Sequence, residues 1–247
     1  MTAELRNELK GFFKSEFADS ILKKLNTGYP ISCFSINPLV LIALSSGIYG
    51  EVTSKNMAKA LLYPRVLGTS ISTTFGDKMQ KLCISLLGAN ASAVPGMDIE
   101  FTDKTTNKKI LCQLKSGPNT INSGDVAPII KDMTSAFRLL QQNRVGANMP
   151  EFAVAVTYGS DEELNAHYKK IKTYNIGAQM DVPIYIGKDF WFRLTGEENF
   201  YSDLISIFIE LFDSENYSQI FESDLNTLAE EIEEKYFVSG VFDPEKI

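Results

Sequence analysis

Two stretches decide the fold: Met97-Asp-Ile-Glu-Phe101 and Ile110-Leu-Cys-Gln-Leu-Lys115. Each alternates with a period of two, as a strand with unlike faces does. The polar, lysine-rich link Thr102 to Lys109 makes them an antiparallel hairpin. Met97, Ile99 and Phe101 share one face of the first strand, and Ile110, Cys112 and Leu114 share one face of the second. Packing these triplets on the core gathers Asp98, Glu100, Gln113 and Lys115 on the other side. Such a cluster on strands is costly unless water, a ligand or a metal satisfies it. Carboxylates and an amide oxygen are hard ligands that suit Mg²⁺, and a lysine beside them can orient a water and offset phosphate charge.

Outward from the hairpin, Phe152 to Tyr158 (FAVAVTY) reads as a central buried strand, and Pro183 to Ile186 as a shorter one. Between hairpin and strand, Asp125 caps a helix running to about Arg144, with Pro128 in its first turn. Asn37-Pro38 starts a helix that takes in the apolar part of Ile31 to Tyr49, a stretch too interrupted for a membrane span and read as buried. Gly76 precedes a helix from Asp77 that stops at Gly88, and Ala89 to Gly96 is a loop. Lys188 opens a helix ending near Gly196, with Phe190 and Trp191 in the core. Asn199 to Phe237 is acidic amphipathic helix. Helices before, between and after a middle block of strands predict an α/β fold with a central mixed sheet. The segments expected are 1–75, a helical N-terminal part; 76–198, the core; and 199–247, an acidic helical extension.

With 247 residues, 44% hydrophobic and 22% charged, the chain has globular composition and length enough for a proper core. Cys33, Cys83 and Cys112 are odd in number and far apart, so they form neither a disulfide framework nor a metal pair; a reducing, intracellular compartment is expected. The first seventeen residues read as an amphipathic helix rather than a signal peptide. His167 is the only histidine, which argues against zinc fingers, HNH-type nucleases and His-dependent nucleophilic triads. No glycine run matches a phosphate-binding loop or a dinucleotide fingerprint.

The net charge of −7 does not favour a basic architectural DNA binder, but the acid is unevenly placed. From Glu197 onward the only basic residues are Lys235 and Lys246, and upstream the cations outnumber the acids. Ser116-Gly-Pro-Asn-Thr-Ile-Asn-Ser-Gly-Asp125 leads from Lys115 to a helix N-terminus. There Ser116, Asn119, Thr120, Asn122 and Ser123 offer short groups suited to a phosphate or a base edge, or make an ordinary capped turn. Lys131, Thr134, Ser135, Arg138 and Gln142 form one stripe of the following helix, by pattern alone a solvated face but beside the proposed site expected to contact DNA phosphates. His167, Lys169, Lys170 and Lys172 form a further basic group before a polar loop, Asn175 to Asp181, that could read a groove.

Val94-Pro-Gly-Met-Asp98, fourteen intervening residues and Gln113-Leu-Lys115 resemble the PD-(D/E)XK nuclease signature. Ser35-Ile-Asn-Pro38, Leu114-Lys-Ser-Gly117, Thr120-Ile121, Thr157-Tyr-Gly159, Ile176-Gly-Ala178 and Gly187-Lys-Asp-Phe-Trp191 resemble, in that order, a family of type II restriction endonucleases that cut degenerate sites with a GGNCC core. The resemblance implies a restriction-endonuclease-like sheet flanked by helices and Mg²⁺-dependent hydrolysis of double-stranded DNA. It also implies a homodimer paired with a cognate DNA methyltransferase in a prokaryotic cytoplasm, with no membrane association. Carried over by position, Asp98 binds the metal and Lys115 orients or activates the attacking water. Gln113 stands where the pattern has Glu or Asp, and Glu100 is the candidate to restore the second carboxylate. The position where the superfamily helix often has a glutamate holds Gln80, with Asp77 nearby. The two glutamines leave open a weaker one-metal site, a rearranged ligand set or an inactive DNA-binding module. A structure-specific repair nuclease is the competing enzyme on the same scaffold.

Overall fold

The computed structural model describes residues 1–19, 23, 28–66, 71–143, 149–177, 181–213 and 217–246. The expected helix end at Arg144 and residues 178–180 of the expected groove-reading loop lie outside them. The chain divides into two compact units: residues 1–12 with 75–209, and residues 13–74 with 210–247. This differs from three successive segments, because the parts expected to be separate at the two ends contribute together to the second unit. The boundaries fall inside helices.

The first unit is built on a five-stranded sheet of order β1-β2-β3-β4-β5: β1 (Asn90–Ala91), β2 (Ile99–Thr102), β3 (Lys109–Lys115), β4 (Glu151–Val156) and β5 (Ile184–Ile186). β1, β2 and β3 run antiparallel, and β3, β4 and β5 run parallel, so the sheet is mixed. β1 lies in the stretch read as a loop; two residues are too short to show a period. The register sets Ile99 opposite Cys112, Glu100 opposite Leu111 and Phe101 opposite Ile110. Glu100, Leu111, Gln113 and Lys115 therefore share one face, with Asp98 at its near end, as the alternation requires.

That face is not a solvated polar one. The parallel connections β3–β4 and β4–β5 lay two helices over it, α5 (Ser123–Gln142) and α6 (Ala166–Lys172). Leu111, Phe152, Val154 and Val156 are buried there with Met133, Tyr168 and Ile171. On the opposite face Phe101 meets Phe190 at 6.3 Å, and Cys112 is fully buried, as is Cys83. A sheet covered on both sides needs apolar runs, which FAVAV supplies. Burying such side chains contributes about 1.5–3 kcal/mol each.

Among the described residues the α-helices are, in chain order, α1 (Ala3–Phe13), α2 (Pro38–Tyr49), α3 (Ser54–Tyr63), α4 (Ile71–Ser85), α5, α6, α7 (Lys188–Thr195), α8 (Phe200–Asp213) and α9 (Tyr217–Tyr236). Three differ from the sequence reading. α4 begins before Gly76, which becomes an interior glycine. α5 is capped by Asn122 rather than Asp125: the Asn122 side chain accepts from Gly124 N at 2.8 Å, and the Asn122 N–H donates to Asp125 Oδ2 at 2.7 Å. Pro128 accordingly lies inside the helix, not in its first turn.

The third difference is α2, expected to be buried. Its cap is as read, with Asn37 Oδ1 accepting from Leu39 and Val40 N. Yet it buries only Leu41 and Ser45 and exposes Leu39 by 78%, Val40 by 52% and Ile48 by 68%. An apolar sequence does not bury a helix all round when its unit covers one stripe. In that second unit Leu41, Met57 and Leu62 pack with Leu225, Leu228 and Ile232 of α9. A two-stranded ribbon, β6 (Phe237–Val238) with β7 (Val241–Phe242), follows.

Candidate active site

β3 ends at Lys115 and β4 at Val156, side by side in the parallel register. Open α/β sheets bind ligands beyond the carboxyl ends of such strands. A cavity of about 360 Å³ lies there, and Asp98, Lys115, Asp77, Gln80, Asp125 and Thr157 are among its lining residues.

Asp98 is held by the ladder on which it ends. Its N–H donates to Cys112 O at 3.0 Å. The Leu114 N–H, past the last β2 partner, donates to Asp98 Oδ2 at 2.7 Å. A backbone donor that would otherwise lack a strand partner thus fixes one carboxylate oxygen. Gln80, one turn along α4 from Asp77, donates Nε2 to Asp98 O at 3.3 Å. Lys115 is half-buried, and no carboxylate pairs with it among the described residues.

The segment after Lys115 is fixed from the neighbouring strand and helix. Thr157 N donates to Lys115 O at 3.1 Å, and Thr157 Oγ1 donates to Ser116 O at 2.7 Å. Trp191 Nε1 donates to Thr157 O at 2.8 Å, so the core tryptophan steadies the residue that steadies β3. Tyr168 donates its hydroxyl to Gly117 O at 2.9 Å, and burial pushes its phenol up to about 12. Asn165 Nδ2 donates to Ile121 O at 2.9 Å. Gly117 is pressed against Tyr158: a Cβ there would collide with the phenol ring and its oxygen.

The structure sorts the residues singled out from the sequence. Asp98 and Lys115 meet in one cavity, with Gln80 and Asp77. Gln113 does not line it: only 6% exposed, it donates Nε2 to Gly96 O at 2.8 Å and to Asp132 Oδ2 at 3.4 Å. Glu100 lies farther along the strand, opposite Leu111, and pairs with Lys109 at 3.2 Å in a separate depression. Ser116 and Thr120 line the cavity, although the Thr120 hydroxyl is bonded to Gly117 O at 2.8 Å. Asn122 is engaged as the helix cap, whereas Asn119 is exposed. Lys131 and Arg138 share a groove with Lys170, apart from the cavity, and Lys169 and Lys172 are not among its lining. Sequence reasoning missed Thr157 and the cavity-facing position of Asp125. Thr157 was visible as the polar residue ending an apolar strand, and Asp125 was read only as a cap.

The donor set is one of oxygens: carboxylates of Asp98, Asp77 and Asp125 and the amide of Gln80. No thiol or imidazole lines it. Among the described residues no three His, Cys, Asp or Glu side chains converge as a ready-made metal cage. The oxygen chemistry of the lining, and not a preformed cage, is what suits Mg²⁺, a hard cation that takes oxygen ligands.

No helix among the described residues is long and apolar enough to cross a membrane. No curated protein matches the chain. The model of the family "Type II restriction endonuclease EcoO109I" matches residues 48–216, more than half of the chain. With that match spanning the Asp98 and Lys115 cavity, the chain belongs to the EcoO109I family of type II restriction endonucleases, hydrolases that cleave DNA at specific sites.

Proposed function

We propose that the protein hydrolyses double-stranded DNA with Mg²⁺ at a short, palindromic site with a GGNCC-like core, using the Asp98–Lys115 cavity as its catalytic centre. The observation that carries the reading is the convergence of a backbone-anchored carboxylate and an uncompensated ammonium at the carboxyl end of β3.

In this reading Asp98 would hold the metal, with Asp77, Gln80 and Asp125 as further oxygen donors lining the same cavity. Bound Mg²⁺ supplies Lewis-acid polarisation of the phosphate and charge neutralisation. Lys115 offsets charge on the phosphate oxygens and holds the attacking water in line. As the water oxygen bonds to phosphorus, the P–O bond to one sugar oxygen breaks; the attacking water gives its proton to solvent and the leaving oxygen takes one from solvent, leaving a phosphomonoester end and a hydroxyl end. The preorganisation comes from Thr157 and Leu114, which fix the backbone on either side of Lys115 before substrate arrives. Gln113 acts behind this centre, holding the Gly96 turn that leads into Asp98. Glu100, paired with Lys109, is left out of it.

A homodimer in a prokaryotic cytoplasm, each protomer cutting one strand, accounts for a palindromic site. The exposed Leu39, Val40 and Ile48 of α2 support a self-association face. A partner methyltransferase would protect host sites.

The test is digestion of phage DNA with Mg²⁺ followed by end-sequencing. Discrete fragments sharing one palindromic sequence support the reading. Nicking confined to junctions or flaps would assign the protein to repair, and no cutting at any Mg²⁺ concentration would overturn it.

A further inference from the structure

A second depression, of about 680 Å³, runs between α5 and α6. Val126 and Ile130 give it an apolar floor, and Lys131 and Arg138 of α5 face Lys170 of α6 across it. Among the described residues no acidic residue lines it, and none of the three cations is paired with a carboxylate. In a chain of net charge −7 this local concentration of positive charge attracts anions to the groove. His167, on the same wall, keeps its Nδ1 buried without a hydrogen-bond partner.

Spacing and position specify the anion. From Lys131 to Arg138 the helix rises about 10 Å, too far for both cations to hold one small anion, so a chain of phosphates suits the pair better than a single one. The groove also starts where the catalytic cavity stops. Asp125 lines the cavity, whereas its neighbours in the first turn of α5, Ser123 and Val126, line the groove. A strand with its scissile phosphate at Lys115 runs on over that turn into the groove.

We propose that the α5–α6 groove is the track for the DNA strand flanking the cleaved phosphodiester, holding its phosphates through Lys131, Arg138 and Lys170 without reading sequence. The proposal rests on the DNA-cleaving centre proposed above. It separates Lys170 from Lys169 and Lys172, which belong to the same helix but do not line the groove.

The experiment is fluorescence anisotropy with a 30-base-pair random-sequence duplex in Ca²⁺, titrated from 50 to 200 mM salt. Wild type should show a steep log–log salt slope. The exposed triple variant Lys131→Ala/Arg138→Ala/Lys170→Ala should lose roughly 0.9 of slope per contact, between two and three in all, and bind about ten- to a hundredfold more weakly. Lys131→Arg/Lys170→Arg should keep the slope, and so should Lys169→Ala/Lys172→Ala. A triple variant with the wild-type slope, or a Lys169/Lys172 pair that loses as much, overturns the groove while leaving the catalytic reading intact. Wild type that binds no duplex at any salt overturns both.

Discussion

The Asp98 carboxylate accepts the Leu114 N–H at 2.7 Å, one residue before Lys115. The bond forms where β2 parts from β3, so the carboxylate replaces a ladder partner and is held on the strand that carries the lysine. The acid is therefore tied by one hydrogen bond to the backbone of the residue next to the lysine. A shift of either strand would separate them.

Lys115→Ala is expected to abolish cleavage while duplex binding in Ca²⁺ persists. Loss of one preorganised charge-stabilising group costs about a hundred- to a thousandfold in the chemical step. Single-turnover cleavage beside anisotropy measures both, and retained cutting would remove the lysine from the mechanism.

Asp98→Asn and Glu100→Gln should behave oppositely. Asp98→Asn is expected to raise the Mg²⁺ concentration needed for half-maximal cleavage by at least about tenfold, as loss of a carboxylate from a site with few ligands does. Glu100→Gln should leave that concentration within about twofold, because its carboxylate pairs with Lys109 at the separate depression. A large Mg²⁺ shift in Glu100→Gln would return that carboxylate to the centre.

How this sorting relates to the sequence is physical. Period-two alternation states which side of a strand a residue occupies, and that much was legible: the hairpin, its faces and the shared side of Asp98 and Lys115 all follow from it. Alternation says nothing of what covers that side. Leu111 lies between the Glu100 position and Gln113 under α5, and Gln113 is turned toward Gly96 by Asp132 of that helix. Both depend on the parallel β3–β4 crossover, a non-local feature. The apolar run of α2 misled for a related reason: hydrophobicity marks what can be buried, and the rest of a unit decides how much is. The Asn122 cap was ambiguous because Asn and Asp both cap well, and only the backbone shows that they share the task.

Gly96→Ala is expected to destabilise the first unit by about 1–3 kcal/mol and to disturb the approach to Asp98. Gly96 has φ +82°, and an added Cβ would stand 2.6 Å from the Asp132 Cβ. Both the left-handed backbone and the close approach oppose a side chain. Denaturant unfolding would show the loss, and an unchanged midpoint would mean that α5 yields at Asp132.

Asp103→Asn should lower stability near neutrality and converge on wild type in acid. Asp103 is 1% exposed and accepts from Arg193 Nη1 at 2.7 Å and from Thr105 N and Oγ1, each at 2.7 Å. Burial pushes its carboxyl up, but the hydrogen bonds from Thr105 and Arg193 outweigh it and hold the group below the ordinary carboxylate range. A folded value lowered in this way gives stability that is present above the unfolded value, about 3.9, and lost as pH falls through the folded one. The bonds tie the β2–β3 turn to α7, and losing charge-assisted bonds costs about 1.5–3 kcal/mol each. Unfolding midpoints measured from pH 7 downward should show the wild-type advantage shrinking below about pH 4. An advantage that stayed constant into acid would mean that the charge on Asp103 contributes nothing and that its shape alone holds the turn.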